Sequence, residues 1–208
     1  SAERLEMKLN GKLAPTEQAM LTKSVKTIVD QVDALKRLVN EFRDYARLPA
    51  AELVPLDLNG LVAEVLHLYE AEHGAVPVHA ELDPRCPRIL GDAQQLRQVL
   101  HNLVQNGQDA TAQAAAAATA AGPAAVPSLP AVQISTHWNA DTQRVRLSVA
   151  DSGGGFPPHI LQRAFEPYVT TKSRGTGLGL AVVKKIADEH AARIDLANRS
   201  EGAVVQGA

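Results

Sequence analysis

Polar side chains recur at helical spacing between residues 95 and 109, and their types suit the coordination of a cation. They are Gln95, Gln98, Asn102, Asn106 and Asp109. At about 100° per residue they share one sector of a helix, beside an apolar face. Amide and carboxylate oxygens at this spacing could ligate a hard cation such as Mg²⁺ and share it with phosphates. Taken alone, the stripe would more simply be a solvated polar face.

A carboxylate at the end of an apolar strand is a second candidate. Residues 145–150 lead into Asp151, which is followed by Ser152 and the glycines at 153–155. Glycine lets the backbone approach a flat ligand closely, and the Asp151 oxygens can accept a hydrogen bond from an exocyclic amine such as that of adenine. A lone D-x-G-x-G is a weak signal, because many turns share it.

A glycine-rich loop before a helix is a third candidate. Its residues are Gly175, Thr176, Gly177, Leu178, Gly179 and Leu180, and Lys172 and Arg174 precede it. Free N–H groups at a helix start attract anions, so the loop could bind phosphates. The sequence is neither a P-loop nor a dinucleotide fingerprint, since neither glycine pattern is met.

The elements that would position these groups begin with a long helix. Its apolar positions alternate spacings of four and three: Leu21, Val25, Ile28, Val32, Leu35, Val39 and Phe42. This seam predicts a helix of a bundle, starting after Pro15 and stopping near Pro49; the alternative is a single amphipathic helix on the same domain's core. Residues 1–9 are interpreted as the end of a preceding antiparallel helix, turned at Asn10-Gly11.

After Pro49 the pattern predicts an α/β domain. Helices are expected over 58–72 with a cap at Asp57 or Asn59, from a cap at Asp92 to about residue 110, and over 178–190. Strands are expected over 76–82, 88–90, 132–138, 145–149, 194–197 and 203–206. Residues 111–131 are rich in alanine and proline, and they predict a helical extension that passes into a loop without chemistry.

Charge and composition exclude several classes of function. The net charge is −2 and basic residues are dispersed, which argues against a nucleic-acid surface. Cys86 is the single cysteine, so the chain has no internal disulfide and suits a reducing compartment. No run of about 20 apolar residues is present, so we expect no membrane contact by this chain.

The motifs in this order resemble those of the GHKL superfamily of ATP-binding domains, and most closely its histidine-kinase branch. Residues 102–110 are similar to that family's N box, 151–155 to its G1 box, 165–172 to its F box and 175–180 to its G2 box. The helical segment resembles the second helix of a dimerisation and histidine-phosphotransfer domain. Its ending, residues 39–49, is similar to nitrogen-regulation sensor kinases in particular.

The resemblance implies an architecture and a set of ligands. The expected fold is a two-layer sandwich of a mixed β-sheet covered by helices, preceded by a long helical segment. The expected domains are a partial phosphotransfer segment at 1–48, a linker at 49–57 and a catalytic ATP-binding domain at 58–208. The implied cofactors are ATP and Mg²⁺, held by Asn102, Asn106, Asp109, Asp151, Gly153, Gly155, Lys172 and residues 175–180.

Individual roles follow from the same resemblance. Asn106 is expected to ligate Mg²⁺, Asn102 to contact the phosphates, and Asp151 to accept from the adenine amine, with Gly153 and Gly155 shaping the pocket. Lys172 and the backbone of residues 175–180 are expected to line a mobile lid over the phosphates. Asn102 and Lys172 are the candidate catalytic residues.

One position separates the branches of the family. ATP-hydrolysing members have a glutamate four residues before the magnesium asparagine, and here that position is Asn102, which cannot act as a general base. The expected activity is therefore transfer of the ATP γ-phosphate to a protein histidine, for relay to a response regulator. The alternative is a GHKL-type ATPase or a protein-serine kinase of the anti-sigma type.

The sequence also departs from the family pattern. None of the seven histidines is followed by the phosphoacceptor motif, so we expect ATP binding without autophosphorylation. Gly107 replaces a usual alanine, and Ala191-Ala192 replaces a usual Gly-Gly, which would leave a helix C-terminus without its left-handed residue. The expected setting is the cytoplasmic portion of a membrane-bound sensor kinase that forms homodimers through its helical segment.

Overall fold

The chain divides into two compact units, Ser1–Arg47 and Leu48–Ala208. The computed structural model describes residues 4, 7, 9, 13–70, 76–121, 131–172, 175–199 and 202–207. The predicted turn at Asn10-Gly11, the proline-containing part of the 111–131 insertion and Arg174 lie outside these residues.

The first unit contains helix α1, Pro15–Ala46. Proline occupies the first helical turn, where its missing N–H costs nothing, and the Ala14 N–H donates to Glu17 Oε2 at 3.1 Å. The helix ends before Pro49, as the sequence predicts. Along the apolar seam Val25 is buried, whereas five residues are 45–59% exposed: Ile28, Val32, Leu35, Val39 and Phe42.

The second unit alternates helices and strands. In chain order its elements are β1 (Val54–Leu56), α2 (Leu58–Glu70), β2 (Val78–Leu82), β3 (Ile89–Gly91), α3 (Ala93–Ala121), β4 (Val132–Asn139), β5 (Arg144–Asp151), α4 (Pro158–Leu161), α5 (Gly179–Glu189), β6 (Ile194–Arg199) and β7 (Gly202–Gly207). Within the part of the chain that is described, no helix is long and apolar enough to cross a bilayer.

Five strands form a mixed sheet in the order β2-β4-β5-β7-β6, and β1 pairs with β3 in a separate antiparallel ribbon. Among the strands that the structure describes, the β2–β4 pair of the larger sheet is parallel and its other pairs are antiparallel. Inward residues of β4 and β5 such as Ile134 and Val149 pack in the core with apolar residues of α2, α3 and α5, among them Val65, Leu100 and Ile186. This mixed sheet covered by helices confirms the predicted fold class.

Aspartates cap the two longer helices of this unit: Asp57, rather than the alternative Asn59, caps the first, and Asp92 caps the second as the sequence predicts. Asp57 Oδ1 accepts from the Gly60 N–H at 3.1 Å, and Asp92 Oδ1 accepts from the N–H groups of Gln94 and Gln95 at 2.9 and 3.1 Å. Such caps satisfy helix-start donors and stabilise by about 1 kcal/mol each. The helical extension expected after residue 110 is also observed, since α3 continues to Ala121.

The segment predicted as a linker, residues 49–57, belongs structurally to the second unit. It contributes β1 to the ribbon with β3, and the Glu52 N–H donates to Asp92 Oδ2 at 3.1 Å. Gln95 Nε2 donates to the Pro49 carbonyl at 2.8 Å. Gln95, the first residue of the predicted amide stripe, is 3% exposed. Its side chain therefore binds residues 49–57 to α3 and does not face a ligand site.

The carboxylate of Asp83, the residue after β2, links β2 to the β4–β5 hairpin. Asp83 accepts from the Trp138 N–H at 3.1 Å and from the Arg85 guanidinium at 2.9 Å, while its own N–H donates to Thr136 Oγ1 at 3.0 Å. Hydrogen bonds from the Arg85 side chain, then from the Arg85 and Trp138 backbone, hold the pKa of Asp83 well below its usual range.

We therefore expect Asp83→Asn to lower the thermal midpoint at pH 7. A carboxyl with a depressed folded pKa contributes stability above its unfolded pKa, ~3.9, and loses it as the pH falls toward the folded value. The difference between the two proteins should narrow in melts below about pH 4. Asp195→Asn, at an exposed pair with Arg193, is the control and should change little. A difference independent of pH would contradict this account.

The turn after α5 corrects the expectation that this helix lacks a left-handed residue. Ala191 itself adopts φ +50°, and the Ala192 N–H donates to the Ala187 carbonyl at 2.8 Å. The motif that glycine usually supplies is therefore built with alanine. A left-handed conformation costs an alanine about 1–2 kcal/mol, because its Cβ crowds the following carbonyl.

Ala191→Gly should therefore stabilise the chain by about 0.5–1 kcal/mol, after allowance for the greater freedom of glycine in the unfolded chain. The thermal midpoint should rise by about 1–4 °C. The matched change Ala192→Gly lies next to the strained residue and should lower the midpoint slightly. Equal shifts for both variants in calorimetry would refute the strain at Ala191.

Candidate nucleotide site

The amide stripe of α3 faces the start of α5. Asn102 Nδ2 lies 3.5 Å from the Gly179 carbonyl, and a Cβ added at Gly179 would lie 3.5 Å from Asn106 Nδ2. Leu178, the residue before α5, makes no side-chain cap. The first N–H groups of α5 therefore point out of the helix beside Asn102 and Asn106, in the arrangement that binds anions.

Lys172 joins the loop before α5 to the same stripe. Its Nζ donates to Asn106 Oδ1 at 3.0 Å and to Asp109 Oδ2 at 2.8 Å, and the Lys172 side chain is only 24% exposed. Gln105 Nε2 donates to the other Asp109 oxygen at 3.1 Å. Lys172, Asn106 and Asp109, which the sequence predicts for one site, are thus in contact. The Lys172 ammonium binds Asn106 Oδ1, the oxygen that is expected to ligate magnesium.

Asp151 is the last residue of β5 and lies close to Gly107 of α3. Its Oδ1 accepts from the Gly153 N–H at 2.8 Å. A Cβ at Gly107 would lie 3.3 Å from the Asp151 Cβ, and a Cβ at Gly153 would lie 2.6 Å from that of Ala110. The nearest atom to a Cβ at Gly107 would be Val132 Cγ2 of β4, at 3.0 Å. The departure at Gly107 therefore has a packing reason, since it lets β4 and β5 approach the helix that carries Asn106.

The loop after Asp151 is held by residues that belong to none of the sequence motifs. The Ser152 N–H donates to Thr111 Oγ1 at 3.2 Å, and Thr111 is fully buried. Asn198, 42 residues further along the chain, hydrogen-bonds the backbone of Phe156. The sequence signals were weak: Thr111 is a hydroxyl residue in an alanine-rich helix, and Asn198 is an amide residue near the end of a strand. Neither signal identifies the hydrogen-bond partner.

A backbone hydrogen bond joins the F-box-like motif to the G2-box-like motif. The Tyr168 N–H donates to the Gly177 carbonyl at 2.9 Å, and both residues have positive φ, +67° and +70°. A Cβ at Gly177 would lie 2.6 Å from the Tyr168 carbonyl carbon, so only glycine fits there. This hydrogen bond brings Lys172 and the glycine-rich loop to one side of α3.

The oxygens available to a metal are few. No cluster of three or more His, Cys, Asp or Glu suitable for a metal occurs among the described residues. Asn106 Oδ1 and Asp109 Oδ2 nevertheless converge on one cation, the Lys172 ammonium. This donor set fits Mg²⁺ in the way that ion is usually held with nucleotides, through one or two protein oxygens together with phosphates and waters.

Three groups therefore lie on one side of α3: the Asp151 carboxylate at the end of β5, the amide stripe of α3 itself and the uncapped start of α5. The fold and this site define an ATP-binding α/β sandwich domain. The chain belongs to the family described as histidine kinase-, DNA gyrase B- and HSP90-like ATPase, whose model matches residues 91–206.

Individual relatives place the domain in the histidine-kinase branch, as the sequence motifs predict. The nitrogen regulation protein NtrY of Azorhizobium caulinodans is 32% identical over 97% of this chain and 25% of its own length. The histidine kinase ThkA, solved in complex with the response regulator protein TrrA, matches 99% of this chain and 55% of its own with a TM-score of 0.69 and 26% identity. Full-length ShkA in complex with AMPPNP matches 96% of this chain and 40% of its own with a TM-score of 0.67 and 28% identity.

The chain spans about a third of the length of curated relatives such as the NtrY-like putative sensor kinase of Rickettsia bellii, of which it covers 31%. The match to ThkA covers nearly the whole chain. It therefore includes the helix of the first unit as well as the ATP-binding domain. The predicted membership of the sensor histidine kinases is confirmed for the catalytic ATP-binding domain.

Proposed function

We propose that this chain binds Mg²⁺–ATP and that the intact protein transfers the γ-phosphate to a protein histidine for relay to a response regulator. The observation that carries the proposal is the convergence of Asp151, Asn106 and Lys172 on one side of α3. Asn102 supports transfer rather than hydrolysis, because an amide at this position cannot deprotonate a water.

The proposed roles follow from the chemistry of each group. The Asp151 carboxylate accepts a hydrogen bond from the adenine amine. Gly153 and Gly155, which have no side chains, let the backbone approach the base closely. The N–H groups of residues 175–180 and the Lys172 ammonium receive the phosphates, and Asn102 orients them. Bound Mg²⁺, with Asn106 as its protein ligand, would supply charge neutralisation to the triphosphate.

ATP titration with and without Mg²⁺ tests the proposal. The wild-type chain should bind ATP more tightly with Mg²⁺, and Asn106→Ala should lose most of this metal-dependent gain while keeping its metal-free affinity. Asn59→Ala, at an amide bonded within the fold through Asp83 and Thr136, is the control and should retain the gain. Binding by wild type and Asn106→Ala with the same metal dependence would remove Asn106 as the ligand.

The alternative activity, ATP hydrolysis or serine phosphorylation, predicts a different result. Appreciable steady ATP hydrolysis by the chain, abolished by Asn102→Ala, would favour the ATPase. Little hydrolysis, together with phosphorylation of a histidine-containing domain supplied in trans, would favour the histidine kinase. The chemical stability of the phosphoprotein separates the two acceptors, because phosphohistidine is labile in acid and phosphoserine is not.

We also propose that the exposed stripe of α1 pairs with a second copy of the chain. The stripe from Ile28 to Phe42 presents five half-exposed apolar side chains at heptad spacing, and such a seam is stabilised by a partner helix. The response-regulator partner is inferred from the ThkA complex with TrrA and from the nitrogen-regulation relatives. The cytoplasmic location stays a prediction.

A further inference from the structure

The side chain of Asn198 is bonded to the backbone of a distant loop on both of its polar atoms. Asn198 lies near the end of β6, opposite Ala203 of β7. Its Nδ2 donates to the Phe156 carbonyl at 2.7 Å, and its Oδ1 accepts from the Phe156 N–H at 2.8 Å. The amide thus makes the two bonds that a neighbouring strand would make.

The loop needs such a partner. Residues 152–157 follow β5 and are outside the regular strands and helices, so their backbone donors and acceptors lack a ladder. An asparagine side chain carries one acceptor and one donor in the geometry of a peptide group. Gly155, at φ +70°, is required beside it, because a Cβ there would lie 2.9 Å from Asn198 Oδ1.

Asn198 completes the restraint of this loop. At the start of the loop, Asp151 Oδ1 holds the Gly153 N–H at 2.8 Å. At its end, Asn198 holds Phe156. Between these two fixed points lies the glycine turn that, in the proposed function, forms the wall of the base pocket.

We propose that Asn198 is a positioning residue for nucleotide binding, which acts by fixing the Gly155–Phe156 rim at the base end of the pocket. The inference rests on the proposed function for the identity of the ligand. It adds a residue from β6, outside all the sequence motifs. A rim at the base end should affect the affinity for every adenine nucleotide equally, whatever the number of its phosphates and whether or not Mg²⁺ is present.

Two variants of the full chain separate the two bonds. Asn198→Ala removes both, and its affinity for metal-free ADP and for Mg²⁺–ATP should fall by the same factor, about tenfold. Asn198→Asp still accepts from the Phe156 N–H but opposes the Phe156 carbonyl with a carboxylate oxygen, so its affinity should also fall. Hydrogen exchange at the Phe156 amide should be accelerated in Asn198→Ala and remain slow in Asn198→Asp.

Asn139→Ala is the matched control, because Asn139 Oδ1 also accepts two backbone bonds, from Asp141 and Thr142 at 3.0 Å each, in the β4–β5 turn. It should change nucleotide affinity less than twofold. Equal affinities for Asn198→Ala and Asn139→Ala, or an unchanged Phe156 exchange rate, would overturn the role of Asn198. A wild-type chain that binds no adenine nucleotide would instead overturn the proposed function, while the exchange measurement still reports the bond from the Phe156 N–H to Asn198 Oδ1.

Discussion

Replacing Asp151 by asparagine is expected to lower the affinity for ATP by about thirtyfold and to leave the affinity for GTP unchanged or raised. A hydrogen bond to a charged group contributes about 1.5–3 kcal/mol, or about ten- to a hundredfold in binding. The substitution keeps an oxygen for the Gly153 N–H, which Asp151 Oδ1 accepts at 2.8 Å. The other atom becomes an NH₂ group that opposes the adenine amine but can donate to the guanine oxygen.

Competition of ATP and GTP against a fluorescent nucleotide analogue would measure this change of preference. Asp141→Asn makes the same chemical change at an exposed position of the β4–β5 turn and should alter neither affinity. Thermal melts without nucleotide should show that Asp151→Asn remains folded, since Gly153 keeps its acceptor. A loss of ATP and GTP affinity by the same factor would mean that Asp151 supports the loop without reading the base.

The features that the sequence predicted correctly depend on neighbouring residues. Asp57 and Asp92 cap the helices that follow them within three residues, and these contacts are decided by local backbone geometry. The heptad seam of α1 and the alternation of β4 and β5 are likewise local periodicities. The box-like motifs could be placed on elements for the same reason, and so their convergence was expected.

The features that sequence reasoning missed depend on contacts between distant residues. Asn198 and Phe156 are 42 positions apart, and Gln95 and Pro49 are 46 apart. No periodicity encodes such a pair, because each side chain is compatible with a plain surface position on its own element. The left-handed Ala191 was missed for a related reason, since the surrounding structure there overrides the alanine's intrinsic preference.

The second large effect is expected at Lys172. Its ammonium bonds Asn106 Oδ1 and Asp109 Oδ2, so Lys172→Met removes a positive charge and leaves the Asp109 carboxylate uncompensated beside the proposed phosphate site. The affinity for ATP should fall by about thirtyfold, from the loss of a charge-assisted bond and the repulsion left behind. The affinity for AMP should fall less, because AMP lacks the β- and γ-phosphates that are proposed to lie beside this charge.

The charge balance can be tested with a double variant. If the uncompensated Asp109 carboxylate causes part of the loss, Lys172→Met combined with Asp109→Asn should bind ATP more tightly than Lys172→Met alone. Lys184→Met, which also removes a lysine paired with an aspartate, Asp188 of α5, should bind ATP like the wild type. Equal losses for AMP and ATP would place Lys172 away from the β- and γ-phosphates. A double variant weaker than the single one would mean that Asp109 contributes to binding through something other than its pairing with Lys172.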